Sequence, residues 1–348
     1  MKVGRLVRSR WGLLLALAAD VVLVGGPHRP RVAYEASLAA ALSAQAAAND
    51  RWLSLPGVVG TAVGMDASGE LVVKVYLRAP GAAALPATFA GVSIVPEVTG
   101  PLVALADPPD PLAADGGVDP KRSFPRPVPI GVSTGHPGVS AGTLGARVTD
   151  GERVYALSNN HVYANRNDAR RGDRLLQPGT VDGGREPDDV IGTLHDFEPL
   201  RFCTGFVCPA NRIDAALALT SEDELGHATP DGGYGSPSTR VLAASLGMEV
   251  QKYGRTTGYT RGRVSGIHAT LEVDYRSGVV RFEDQIVISG SGFSAPGDSG
   301  SLIVSRGGFL SDRRPVGLLF AGSSGATIAN PIGPVLERFG VKIDGGER

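Results

Sequence analysis

Cysteine is almost missing from this 348-residue chain: Cys203 and Cys208 are the two present, separated by Thr204-Gly205-Phe206-Val207. Without histidines nearby they make a poor zinc site, which needs four ligands. They either close a short disulfide loop or, in a cytosolic setting, remain free thiols. A loop that short would add about 2 kcal/mol by chain entropy, so its expected role is local ordering ahead of Asp214. Excess charge of one sign is missing too. The formal net charge of -1 removes the global basic surplus on which nucleic-acid or anionic-membrane binding usually depends, so no nucleic-acid partner is expected. There is no Gly-Lys-Ser/Thr phosphate loop, and Gly57, Gly60 and Gly64 do not have dinucleotide-fingerprint spacing. His28, His136, His195, His227 and His268 have no metal-binding spacing. Neither metal nor organic cofactor is expected.

A long apolar run is also lacking. Lys2, Arg5, Arg8 and Arg10 precede Trp11-Gly12-Leu13-Leu14-Leu15-Ala16-Leu17-Ala18-Ala19, which Asp20 interrupts before the run reaches a stable membrane span. Charge followed by an apolar stretch is the order of a secretory signal peptide, expected over residues 1–26. The reading makes the chain secreted or periplasmic, with a cytoplasmic location as the alternative. Its oligomeric state is left open.

What is abundant is glycine, at 48 residues, and proline, at 25, beside a hydrophobic content of 42%. Enough apolar residues remain to build a core, so the excess implies many tight turns between short strands. The length exceeds one ordinary domain. Residues 34–53 are rich in alanine and leucine without internal Gly or Pro, which predicts a helix. Pro56-Gly57 ends it. Residues 58–65 and 71–77 then read as a hairpin around Asp66-Ala67-Ser68-Gly69, and residues 92–98 as a further strand. Together they define a small α/β domain over 34–104. Pro108, Pro109, Pro111, Pro120, Pro125, Pro127 and Pro129 make 105–129 a stiff linker. Beyond it, short apolar runs at 145–148, 154–157, 190–194 and 215–219, then at 249–253, 262–267, 279–288, 301–304 and 316–320, divide into two sets. Two β-barrels over 130–348 are predicted.

Within that region Pro296-Gly297-Asp298-Ser299-Gly300-Ser301 holds a serine between glycines. A hydroxyl is a poor nucleophile near neutral pH unless a base takes its proton. His161, after the run ending at Leu157-Ser158, is the candidate base, since an ordinary imidazole titrates at about 6.5. Asp214, opening the run Ala215-Ala216-Leu217-Ala218, is the candidate orienting carboxylate. Backbone N–H groups of Gly297 and Ser299 can converge as an oxyanion hole, with Gly297 free to adopt angles that a side chain would penalise. Each piece alone is commonplace. The order His161, Asp214, Ser299 is the stronger signal, and it excludes the nucleophile-elbow hydrolases, in which serine comes first.

That order and those flanks resemble the trypsin/chymotrypsin-type serine endopeptidases. The chain is similar, more narrowly, to a bacterial trypsin-like group related to the plant Narrow Leaf trypsin-like protein. Carrying that likeness are Leu55-Pro56-Gly57-Val58-Val59-Gly60, Ser158-Asn159-Asn160-His161-Val162, Gly254-Arg255-Thr256-Thr257-Gly258 and Pro296 to Ser301. The resemblance implies a mainly β fold, a chymotrypsin-like double barrel after the small α/β domain. It implies that Phe320, Ala321 and Gly322 pair with the substrate backbone, and that Phe293 forms the pocket floor. No acidic residue stands there, which argues against Arg or Lys preference. Val162 occupies a position where the family often has cysteine. Asp298, which in zymogen-activated relatives pairs with a freed amino terminus, is expected to be structural here, because no convincing cleavage site precedes Ile130. The turn 254–258 has no catalytic meaning derivable from sequence.

Two functions follow. The first is hydrolysis of protein or peptide substrates through a Ser299 acyl-enzyme. The alternative is a catalytically silent, protease-like binding or scaffold protein whose cleft is blocked.

Overall fold

The alanine-rich stretch forms α1 (Arg31–Leu53), which starts slightly earlier than composition predicts. Its buried residues Ala41, Ala44, Gln45, Ala48 and Trp52 fall at helical spacing on one face. In this computed structural model the described residues are 31–105, 118–205, 207–308 and 312–345. The expected signal peptide and residues 106–117 of the expected linker lie outside them. After α1 come β1 (Val58–Met65), β2 (Leu71–Leu77), β3 (Thr88–Phe89), β4 (Val92–Val98) and β5 (Val103–Ala104). Next are β6 (Ser133–Thr134), β7 (Gly142–Thr143), β8 (Ala146–Thr149), β9 (Val154–Ser158), the short helix α2 (Asn160–Tyr163), β10 (Arg174–Leu176), β11 (Val190–Phe197), β12 (Ala210–Asn211) and β13 (Ala216–Thr220). The last part contains β14 (Glu249–Gly254), β15 (Gly258–Asp274), β16 (Val279–Ser289), β17 (Leu302–Ser305), β18 (Pro315–Gly322), β19 (Thr327–Pro331), α3 (Ile332–Phe339) and β20 (Lys342–Ile343).

The molecule is mainly β, with a helix at its N-terminal side. One sheet runs β10-β11-β13-β9-β8-β20, so the C-terminal strand returns to the edge of the first group. In the other group, β14 pairs with β15 and β17, β17 with β18, β18 with β19, β19 with β16, and β16 with β15. Those ladders close into a ring.

The hairpin read from sequence forms as expected, with Thr61 opposite Val75 and Met65 opposite Leu71. The sequence offered no sign of where its outer edge goes. β1 pairs antiparallel with the far half of β15, Gly60 opposite Leu271 and Gly64 opposite Gly266, while β4 lies parallel on β2. The N-terminal strands therefore extend the sheet of the C-terminal ring. The core is continuous in the same way: Ala44, Ala48 and Trp52 share one apolar cluster with Val73, Val250, Val264, Ile286 and Leu319. No helix among the described residues is long and apolar enough to cross a membrane.

A shared core makes a prediction about cooperativity. Trp52 is buried and meets the Phe89 ring edge-on at 5.5 Å. Trp52→Ala should remove about 3–5 kcal/mol and lower the midpoint of one common urea transition. A separate early transition that leaves the remainder unchanged would show that the two parts do not depend on each other.

Candidate active site

Pairing fixes the first two residues. β9 ends at Ser158 directly opposite Ala216 of β13, so the chain just after β9 and the chain just before β13 lie side by side. That brings His161, in α2, against Asp214. The Asp214 carboxylate accepts from His161 Nδ1 at 2.5 Å and from the His161 backbone N–H at 3.3 Å. Tyr275 donates its hydroxyl to the same carboxylate at 2.7 Å. Burial, and then the neighbouring Asp214 charge, push the Tyr275 phenol well above its ordinary pKa, so it remains a donor. The aspartate backbone is clamped as well. Asn159 donates to its carbonyl at 2.7 Å, and Asn330 accepts from its N–H at 3.0 Å while donating to the carbonyl at 3.2 Å. Because a carboxylate can only accept, the proton of a neutral imidazole belongs on Nδ1. Its Nε2 is buried without a hydrogen-bond partner among the described residues.

The Ser299 backbone comes near the segment that follows His161. A β-carbon at Gly142 would sit 2.5 Å from Val162 Cγ2 and 3.0 Å from the Ser299 carbonyl oxygen, so the His161 segment and the serine flank one glycine. The serine hydroxyl donates to the Phe320 carbonyl at 3.1 Å and is not bonded to His161. Sequence reasoning expected that contact; the structure joins His161 to Asp214 and leaves the hydroxyl turned to β18. The flanking glycines are required by their surroundings. Gly297 has φ +96° and Gly300 φ +94°, and side chains there would meet Thr256 Oγ1 at 2.4 Å and the Thr143 carbonyl at 2.1 Å. The Gly297 N–H donates to the Leu105 carbonyl at 2.6 Å.

Asp298 is wholly buried and faces an internal cation. Lys252 Nζ lies 3.3 Å from its carboxylate, with both side chains inaccessible. The same carboxylate accepts from the Thr256 and Thr257 backbones at 2.9 and 3.2 Å, from Thr257 Oγ1 at 2.7 Å and from the Ala295 N–H at 3.0 Å. Burial pulls the Lys252 ammonium below the ordinary lysine pKa, and the Asp298 charge opposes that shift. The turn 254–258 thereby gains its meaning: its backbone supplies donors to Asp298. A β-carbon at Gly254 would lie 2.5 Å from Asp298 Oδ1. Arg255 from this turn also makes a buried two-pronged pair with Asp182 of the first group of strands, one contact being 2.8 Å.

Of the other residues singled out by sequence, Phe320, Ala321 and Gly322 lie on β18, and their backbones pair with Leu105, Ala104 and Val103. Phe293 is buried in the apolar cluster that holds Val264 and Ile288, with Lys252 Nζ 5.9 Å from its ring centre. Cys203 and Cys208 are bonded, and the Cys203 N–H donates to Val279 of β16 at 2.8 Å. Lys252, Tyr275 and Asn330 were not found from sequence. Lys252 reaches the site from β14 and Asn330 from β19, while Tyr275 comes from the turn between β15 and β16, so each is brought in from far along the chain. A lysine inside the apolar strand pattern around Val250 was the one available signal.

The Lys252–Asp298 pair predicts a strong asymmetry. Lys252→Met should destabilise the fold by about 3–5 kcal/mol, because it leaves a buried carboxylate without its cation. The urea midpoint reads this, and a loss below about 1 kcal/mol would mean that the backbone donors alone suffice.

Comparison with solved structures finds likeness to bacterial serine proteases. Thermobifida fusca protease A is 18% identical, covering 63% of this chain and 99% of that one at a TM-score of 0.45. The Cellulomonas bogoriensis chymotrypsin is 21% identical, covering 62% of this chain and 97% of that one at 0.41. Nocardiopsis protease is 18% identical, covering 62% and 98% at 0.43. No curated protein matches the chain. Residues 238–332, which carry Lys252, the turn 254–258, Tyr275, Ser299, β18 and Asn330, match the family model described as the Nal1 C-terminal domain.

Proposed function

We propose that the chain is a serine endopeptidase acting on protein or peptide substrates, built on a chymotrypsin-like pair of barrels. The observation that carries this reading is the buried His161–Asp214 pair, at 2.5 Å, with Nε2 left open beside the segment bearing Ser299. His161 takes the Ser299 proton as the hydroxyl oxygen attacks the substrate carbonyl. The Gly297 and Ser299 N–H groups stabilise the oxyanion, and His161 returns the proton to the leaving amine. Water then repeats the sequence on the acyl-enzyme. Asp214 holds the imidazole in its productive tautomer, and Tyr275 and Asn330 hold Asp214. Turning the serine hydroxyl from Phe320 toward His161 is a rotamer change of the kind that apo sites undergo on engagement. Phe320 to Gly322 supplies the edge along which substrate backbone adds as a strand.

A second reading, a protease-like binding protein with a blocked cleft, is favoured by one observation. His161 and Ser299 are about fully covered, at 1% and 0% exposure. Covalent labelling by a fluorophosphonate separates the two. Wild type should label at Ser299, and Ser299→Ala and His161→Ala should not. Asp214→Asn should slow labelling by about 10⁴-fold, the cost of a wrong tautomer. Tyr275→Phe should slow it about tenfold, the worth of one hydrogen bond to a charged group. A protein that stays unlabelled both as wild type and after β5 has been displaced from β18, under conditions that label a control peptidase, sinks the enzymatic reading.

A further inference from the structure

The Gly297 N–H belongs to a peptide whose direction the local chain does not settle. Ala295-Pro296-Gly297-Asp298 is a β-turn, closed by the Asp298 N–H donating to the Ala295 carbonyl at 3.0 Å. Proline stands at its second position and Gly297, with φ +96°, at its third. Because proline holds its own φ at about −65°, a positive φ at the third position makes this a type II turn. A type I turn has the same closing bond and the same place for proline. It differs by a half-rotation of the central peptide, which reverses the Pro296 carbonyl and the Gly297 N–H together. Glycine at the third position accepts both forms. Here the N–H is turned to the segment lying on β18, where the Leu105 carbonyl accepts it at 2.6 Å.

One side chain distinguishes the two forms. Thr256 Oγ1 donates to the Pro296 carbonyl at 2.7 Å. In a trans peptide the C=O and N–H point in opposite directions, so holding the Pro296 carbonyl aims the Gly297 N–H. The direction of the hydroxyl proton is fixed as well. Arg255 donates from its guanidinium to Thr256 Oγ1 at 3.0 Å, and an arginine cannot accept, so the single hydroxyl proton is left for Pro296. Arg255 is held in turn by its buried pair with Asp182, which also accepts from Ser133 Oγ at 2.5 Å. The packing is close: a β-carbon at Gly297 would stand 2.4 Å from Thr256 Oγ1 and 3.0 Å from Arg255 Cδ. The next peptide is secured separately, by Thr143 Oγ1 donating to the Gly297 carbonyl at 2.9 Å.

We propose that Thr256 is a positioning residue for the reaction at Ser299: its hydroxyl locks the Pro296–Gly297 peptide in the type II orientation that presents the Gly297 N–H to the oxyanion, and the Asp182–Arg255 pair holds that hydroxyl. The proposal rests on the peptidase reading above and names what keeps its oxyanion site assembled. Thr256 acts through one peptide plane. The anchors on Asp298 do not replace it, because the bond from the Asp298 N–H to Ala295 is common to both turn forms. Without the hydroxyl the Pro296 carbonyl faces a group that cannot donate, and a carbonyl denied its donor costs more than the bond contributed. Rotation of the peptide removes that conflict and takes the N–H out of the oxyanion site. The turn 254–258 thus has two outputs, backbone donors to Asp298 and a hydroxyl to Pro296.

The test compares Thr256→Val, which keeps the shape and loses the hydroxyl, with Thr256→Ser, which keeps the hydroxyl. Each is made in the full-length chain and in full-length Leu105→Asp, whose carboxylate cannot stay in the apolar cluster beside Phe293 and so displaces the segment from β18. The probe is a fluorophosphonate, whose phosphoryl oxygen enters the oxyanion site as Ser299 attacks, and its concentration is varied to separate the limiting labelling rate from the half-saturating concentration. In Leu105→Asp, Thr256→Val should lower the limiting rate about tenfold, the worth of one charge-assisted hydrogen bond, and leave the half-saturating concentration unchanged. Thr256→Ser should restore the rate. Isotope labelling of proline carbonyl carbons and glycine nitrogens leaves only Pro–Gly peptides visible by NMR; the Pro296–Gly297 signal should move in Thr256→Val and stay in place in Thr256→Ser. A merely structural side chain would lower the urea midpoint and leave the limiting rate of the folded protein alone. A folded Thr256→Val within about twofold of its parent's limiting rate, or a Thr256→Ser as slow as Thr256→Val, overturns the assignment while the peptidase reading stands. So does failure of both Thr256→Val and Thr256→Ala to fold, which makes the residue structural. If neither wild type nor Leu105→Asp labels, the peptidase reading fails and takes the proposal with it.

Discussion

The conformation of the serine loop depends on one buried charge pair. Two ionised side chains removed from water cost several kcal/mol each, and their attraction offsets that only when every remaining hydrogen-bonding position is filled. At Asp298 they are filled: three backbone N–H groups, one hydroxyl and the Lys252 ammonium converge on its two oxygens. The carboxylate consequently has one low-energy placement. Asp298 sits between Gly297 and Ser299, so fixing it fixes the course of the backbone on either side of it. The cation is carried within the ring, on β14, so the chain itself supplies it.

The two groups of strands are joined through charged and polar groups at the seam. Asp214 precedes β13 in the first group, yet Tyr275 and Asn330 come from the second, so the orientation of the imidazole depends on both. Arg255 reaches back to Asp182, and Thr143 Oγ1 donates to the Gly297 carbonyl at 2.9 Å while accepting from the Arg255 N–H at 3.0 Å. These groups are directional, unlike the apolar clusters around them. A small rotation of one group against the other would break several bonds at once, while the same rotation in a purely apolar seam would be tolerated. The cost of burying so many polar groups fixes the register of the two halves.

Much of this was legible in the sequence because its signals are local. The alanine helix, the hairpin at 58–77, the strand at 92–98 and most of the later strands were marked by composition and by Gly or Pro punctuation. His161, Asp214 and Ser299 were singled out by their order, and the fold pairs the first two. What could not be read was pairing over long separations. Nothing in Val58–Met65 announces β15 as a partner, because a strand buried on both faces carries no code for its neighbour beyond being apolar. Lys252 was missed for a related reason: a charged residue in a strand normally faces water, and only the fold turns this one toward Asp298. The turn 254–258 looked inert since its contribution is made by backbone N–H groups, which every residue has.

The location of β1 to β5 explains how an intramolecular segment can occupy the groove. The chain leaves β4 at Val98, and the Thr99 and Gly100 N–H groups bond back to Leu77 at 3.0 and 3.2 Å, so the approach to Leu102 is already fixed. Ordering a free peptide along β18 would cost about 1–2 kcal/mol for each residue's backbone. Here most of that ordering is done by the β1–β15 ladder and the shared apolar core, which place β5 between the end of β15 and β18. On the peptidase reading proposed above, a substrate peptide would compete with a tethered strand that is pre-ordered and present at high effective concentration. The short contact surface of β5 is enough to cover the site because the larger N-terminal surface, remote from the chemistry, anchors it. How firmly β5 is held on β18 thus depends on how firmly α1 and β1 are packed.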